Sequence, residues 1–116
     1  MAYQTHDDLL SGSQWKASDF IARNYFGHVS PPPDQEDCYE RSLRLGTAPC
    51  LAENIGYCQP GCTRDASAPA DALVQMWLRS DAHASNLLSS SYRLIGAGVA
   101  YDPASQKLYG VAQFSR

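Results

Sequence analysis

The apolar pattern changes period near residue 94, and that change restricts the fold more than any other feature of the chain. Ahead of it, apolar residues recur at helical spacing; beyond it come short runs rich in Val, Ile, Tyr and Gly. Leu94–Tyr101 and Lys107–Phe114 read as two strands, joined through Asp102-Pro103-Ala104-Ser105-Gln106 as a hairpin. Helices followed by a closing hairpin predict an α+β domain built in layers. The chain has 116 residues, enough to bury about two-thirds of the surface its unfolded form exposes.

Local signals divide the rest. Residues 1–12 read as a loose polar lead-in, which places a single domain over 13–116. Ser13–Phe26 reads as a helix, with Ala17, Phe20, Ile21 and Tyr25 at helical spacing and Gly27 as its stop. His28 then falls just past a helix end. Ser30-Pro31-Pro32-Pro33 reads as a rigid extended connector. Asp34 is the expected N-cap of a second helix that ends at Gly46, acidic first (Glu36, Asp37) and basic last (Arg41, Arg44), as the helix dipole favours. Leu51–Tyr57 is a candidate strand. Asp71–Leu78 reads as a third helix with Leu73, Met76 and Trp77 on its core face. Ser80 is placed to cap a fourth, ending at Leu88, on which His83, Asn86 and Leu87 share a stripe. Gly96 and Gly98 sit inside a strand, where they predict close packing or a bulge.

Nine Lys plus Arg against twelve Asp plus Glu give a net charge of −3. No basic cluster is present, which argues against a nucleic-acid binder and against a polybasic membrane-surface segment. No apolar run approaches the ~20 residues of a membrane-spanning helix. The four cysteines, Cys38, Cys50, Cys58 and Cys62, fall within 25 positions. An even, clustered set predicts two disulfides and an oxidising compartment. Three pairings are open. Cys38–Cys50 with Cys58–Cys62 closes the smallest loops, and Pro60-Gly61 supplies a turn in the second. Free buried thiols and a four-cysteine zinc site are the alternatives, although only Cys58 and Cys62 come near a zinc hook in spacing. The polar start lacks the apolar stretch of a secretion leader, so a secreted protein of this sequence is read as a mature or excised domain.

His28, Glu53 and His83 are the polar residues of chemical interest. Two imidazoles and a carboxylate can bind a divalent transition metal with positions left open, or act as an acid–base set. Their separations of 25 and 30 positions carry little specificity, and the plainer reading is three unrelated hydrogen-bonded or surface residues. No G-x-S-x-G elbow is present, and bonded cysteines leave no thiolate nucleophile. His6 is expected to be exposed in the lead-in.

Five segments, in order, resemble one family: Phe26-Gly27-His28-Val29-Ser30-Pro31, Ala52-Glu53-Asn54-Ile55-Gly56, Trp77 through Leu88, Tyr92 through Ala100, and Tyr109 through Phe114. Together they look like the bacterial-type branch of the CAP superfamily, the SCP-domain family of cysteine-rich secretory proteins, antigen 5 and plant pathogenesis-related proteins. The resemblance implies a three-layer α-β-α sandwich with a small antiparallel sheet between helices, in an extracellular or cell-envelope setting. It implies a cleft carrying His28, Glu53 and His83, with Asn54 and Gln113 as candidates for orienting the histidines. Ser80 stands where many animal and plant members have a second glutamate, and one anionic ligand is therefore missing. The cofactor this implies is a weakly held Zn2+, with Glu53 as third ligand or as an acceptor behind a histidine. The function implied is a secreted binding domain, non-catalytic, engaging an extracellular protein, lipid or glycan. The alternative is a metal-dependent hydrolase or protease using His28, His83 and Glu53, although the chain has no H-E-x-x-H helix.

Overall fold

The computed structural model of the chain describes residues 3–59 and 69–116. In chain order the elements are β1 (Gln4–Thr5), α1 (Asp7–Ala22), α2 (Cys38–Leu45), β2 (Ala52–Cys58), α3 (Pro69–Leu78), α4 (Asp81–Leu88), β3 (Leu94–Asp102) and β4 (Lys107–Ser115). The strands form one sheet in the order β1-β3-β4-β2. β4 is central and antiparallel to both neighbours, while the two-residue β1 pairs with β3 in parallel. The sheet is therefore mixed at one edge rather than purely antiparallel. It lies between helices, the three-layer α-β-α arrangement.

Strand alternation sends successive side chains to opposite layers. On one face, Ile55, Tyr109 and Val111 pack with Ala17 and Phe20 of α1. On the other, Ala112 and Phe114 pack with Trp77 of α3 and Leu87 of α4, and Leu73 covers Cys58 and Leu108. The Trp77 indole N–H donates to the Ile55 carbonyl at 2.9 Å, so the buried ring keeps its polar group satisfied. Gly96 and Gly98 set the approach of α1. A Cβ on Gly96 would collide with the backbone of Leu9 and Leu10, and one on Gly98 with that of Ser13 and Gln14. Close packing, not a bulge, explains both glycines.

The N-terminal stretch departs from its expectation. Residues read as a loose lead-in form β1 and the first turns of α1, and Leu9 is buried. His6 is the N-cap of α1, its Nδ1 accepting from the Asp8 N–H at 3.2 Å. α1 thus starts at Asp7 rather than Ser13 and ends at Ala22, ahead of Asn24 in the left-handed region. Tyr3 reaches across the fold, and its hydroxyl is shared between the Asn86 and Leu87 carbonyls at 2.9 Å each, at the end of α4.

The Pro-rich segment turns back on itself at 32–34 and contains a cis Pro32–Pro33 bond, so it is not a straight connector. Asp37, not Asp34, caps α2. Its side chain accepts from the Glu40 N–H at 2.8 Å while Glu40 accepts from the Asp37 N–H, a full capping box. Gly46 ends the helix at φ +68°, a conformation glycine adopts without strain. Cys38, the first residue of α2, is disulfide-bonded to Cys50 just before β2. Cys58 is also disulfide-bonded, and the expected partner Cys62 lies outside the described residues. On α3, Leu73 and Trp77 are buried as expected, but Met76 is 41% exposed and lies off the core face. Ser80 holds the N-cap position of α4, yet its side chain makes no capping bond.

Candidate functional site

β2 is the edge strand opposite β1, and two of its consecutive residues build the site. Glu53 and Asn54 point to opposite layers. Glu53 faces the α1 layer, where its side chain is 3% exposed and both carboxylate oxygens are taken. Oε1 lies 2.9 Å from His28 Nδ1, and Oε2 accepts from the Gln113 amide at 2.8 Å. Gln113 stands opposite Glu53 in the β2–β4 ladder. An ionised carboxylate only accepts, so in that form Glu53 pairs with an N–H at His28 Nδ1. The ring, 52% exposed, then has Nε2 as its free nitrogen. This is the arrangement in which a carboxylate fixes the tautomer of a ligating histidine.

Asn54 is fully buried in the opposite layer. Its amide donates to the His83 carbonyl at 3.1 Å, and its Oδ1 accepts from the Asn86 amide at 2.9 Å. β2 thereby grips α4 by main chain and side chain, one turn of helix at the place that carries His83. The His83 imidazole is held below its ordinary pKa, first by partial burial and second by the proximity of His28. The two histidines thus approach one sheet edge from opposite layers.

The three sequence-selected residues are not one ligand cluster. His28 and Glu53 are hydrogen-bonded, whereas among the described residues the His83 imidazole bonds to neither. Among the described residues, no three His, Cys, Asp or Glu side chains are gathered closely enough to hold a metal ion. Both oxygens of Glu53 are already hydrogen-bonded, so the residues do not fit a His2Glu set in which Glu53 is itself a ligand. Ser80 supplies no anionic oxygen. Gln113 bonds to Glu53 rather than to a histidine ring, and Asn54 bonds to the backbone carbonyl of His83.

Two hollows flank β2. One, of about 270 Å3, is lined by His28, Glu53, Asp37, Tyr39, Leu51 and the Cys38–Cys50 disulfide. The other, of about 480 Å3, is lined by Phe26, Ile55, Gly56, Tyr57, Gln59 and Met76, and carries no charge.

The loop bearing His28 is braced by groups that sequence reasoning missed. Arg23 donates to both oxygens of Asp19, at 2.8 and 2.6 Å, and to both of Asp34, at 2.6 and 3.0 Å. Asp34, freed from the capping role expected of it, also accepts from the Ser30 hydroxyl at 2.8 Å. The Arg23 guanidinium holds the Asp34 carboxyl well below the usual carboxylate range. Lys16 donates to the Tyr25 hydroxyl at 3.0 Å and to the His28 carbonyl at 3.1 Å. Asp19 and Arg23 stand at i, i+4 spacing, a legible helix pair. Lys16 falls on the same stripe as Leu9, Ser13, Ala17 and Phe20, and a charge on a buried stripe is the signal that could have found it.

Comparison with known proteins gives the same fold. The structure of an outer surface protein from Borrelia burgdorferi superposes with a TM-score of 0.72 at 13% identity, covering 100% of this chain and 79% of that one. An extracellular protein containing an SCP domain from Bacillus anthracis str. Ames gives 0.70 at 21% identity, over 98% of this chain and 34% of that one. BmVAL-1 gives 0.59 at 18% identity, over 97% and 58%. The chain thus spans about a third of the Bacillus protein and little over half of BmVAL-1. No curated protein matches the sequence. The sequence model of the cysteine-rich secretory protein family, CAP, matches residues 4–114, nearly the whole chain including the stretch that reads as a lead-in, and the chain belongs to that family.

Proposed function

We propose that the chain is a secreted or cell-envelope binding domain without catalytic activity, whose cleft engages a small ligand or a divalent metal such as zinc. The observation that carries this reading is the Gln113–Glu53–His28 hydrogen-bond chain, which leaves a free Nε2 on a half-exposed ring. His83 is the second imidazole of the site, and burial helps keep it in the neutral form that binds metals. Asn54 holds the helix that carries it, and Ser80 lies at the N-cap of the same helix. When bound, zinc would supply a positive centre for an anionic or carbonyl group of the partner. His28 and His83 would hold the ion weakly, Glu53 standing behind His28.

The Cys38–Cys50 disulfide supports an oxidising compartment, and similar folds occur in proteins described as outer surface or extracellular. The macromolecular partner is an extracellular protein, lipid or glycan. A hydrolase using Glu53 as its base would need that carboxylate free to take a proton from water; its oxygens are buried and already hydrogen-bonded, which favours binding over turnover by that route.

Zinc titration by calorimetry tests the reading. Wild-type protein is expected to bind, and His28→Ala and His83→Ala each to lose at least tenfold in affinity. Equal binding by all three would overturn the site. Peptide-library turnover that disappears in Glu53→Ala would overturn the non-catalytic assignment.

A further inference from the structure

We propose that the free edge of β3 from Ala97 to Tyr101 accepts an extended polypeptide segment of a partner protein as an added strand. This surface is separate from the His28 cleft, which lies at β2 on the far edge of the sheet.

β1 covers β3 only at its start. The Gln4 and His6 N–H groups donate to the Arg93 and Ile95 carbonyls at 2.8 and 3.0 Å, and the chain then enters α1. Backbone groups point alternately to the two sides of a strand. Those of Ala97, Val99 and Tyr101 therefore face the same way as those of Ile95, away from β4. The Val99 carbonyl agrees, since it accepts from the Gln14 side-chain amide at 2.8 Å, and its second lone pair stays available. The N–H and C=O of Ala97 and Tyr101 and the N–H of Val99 have no hydrogen-bond partner among the described residues.

The side chains suit the same use. Gly96 and Gly98 face α1, so Ala97, Val99 and Tyr101 point to the opposite face. There Leu73 and Trp77 of α3 cover Leu108 and Ala112 of β4, while Ala97, Val99 and Tyr101 are exposed, Val99 at 45% and Tyr101 at 56%. Leu94 to Tyr101 holds neither charge nor proline, the devices that ordinarily keep an exposed edge from pairing. On the other side α1 supplies a wall: Gln14 reaches the edge, with Leu10 and Ser18 one turn before and after it.

Unpaired donors and acceptors at every second residue match the backbone of an extended peptide, which adds to the sheet as a strand. Its outer side chains would be apolar, against Val99 and Tyr101. A second copy fits poorly. Antiparallel pairing of two β3 edges sets the strands about 4.8 Å apart with both α1 helices on one face. The α1 backbone lies directly over Gly96 and Gly98, so the two helices would be forced well inside the roughly 8–10 Å at which helices pack.

The test pans a phage-displayed library of random linear peptides on the 116-residue chain. Enriched peptides are expected to alternate apolar residues. Amide exchange at Ala97, Val99 and Tyr101 is expected to be fast in the free chain and slow in the complex. In a synthetic enriched peptide, N-methylation of the alternating amides that face β3 should weaken binding about three- to tenfold each, while methylation of the other set leaves it unchanged. Val99→Lys, a change at an exposed position, should lower affinity about tenfold. No alternating enrichment, equal sensitivity of the two amide sets, an unchanged affinity in Val99→Lys, or protection at other amides overturns the proposal. Protection of these three amides in the free monomer overturns the open edge, and a concentration-dependent dimer that protects them assigns the edge to a second copy instead.

Discussion

At the scale of single residues, the site is a matter of donors and acceptors. Glu53→Gln exchanges one acceptor oxygen for an N–H donor, so either His28 or Gln113 faces a donor with its own. We expect a loss of about 1–3 kcal/mol in urea unfolding and a weaker hold on zinc. His83 gives a pH signature. Its folded pKa lies below its unfolded value, so the unfolded chain takes up its proton first as pH falls. The stability it contributes is complete above the unfolded imidazole value of about 6.5 and is lost as pH falls through the folded one. Urea midpoints at pH 7.5 and 5.5 should therefore converge in His83→Gln relative to wild type. His28, Glu53 and His83 were legible because their segments resemble a family in order. Their division into a contacting pair and a separate imidazole was not, because it depends on which face of β2 each neighbour occupies. Lys16 was hidden by its charge: sequence reasoning assigns a lysine to solvent.

At the scale of elements, α1 shows why boundaries were missed. Over its first two turns the buried positions are Leu9, Gly12 and Ser13, of which only Leu9 is a large apolar side chain, so no apolar period shows there. β3 and β4, rich in Val, Ile, Tyr and Gly and joined by a turn-rich loop, were legible within one residue at either end. The contact between α1 and β3 is set by glycine. Gly98→Ala should cost about 3 kcal/mol or prevent folding, as overpacking against backbone does; a change within 0.5 kcal/mol of wild type, measured by denaturant unfolding, would refute the close approach. The loop between α1 and α2 is a second case. Arg23→Met removes the cation shared by Asp19 and Asp34, and limited proteolysis should then cut between 24 and 36 several times faster. The stabilising effect of Asp34 is present above its unfolded value and disappears as pH falls through its depressed folded one. Wild type should consequently lose more stability than Arg23→Met on acidification below about pH 4.

For the whole molecule, the order of helices then hairpin was enough to imply layers, since each amphipathic element needs a partner for its apolar face. The parallel pairing of β1 was not legible, because two residues leave no period to read. The Cys38–Cys50 bond closes α2 onto the start of β2. A loop of this length, opened by Cys38→Ser with Cys50→Ser, should cost about 3 kcal/mol of unfolding free energy on the chain-entropy account and loosen the hollow beside His28. The Tyr3 phenol has a more distant reach. By clasping the last turn of α4, it makes the N-terminal strand a drawstring on the second imidazole. Whatever tugs on that end, be it a fusion, a surface anchor or a protease, would be felt as slack at His83.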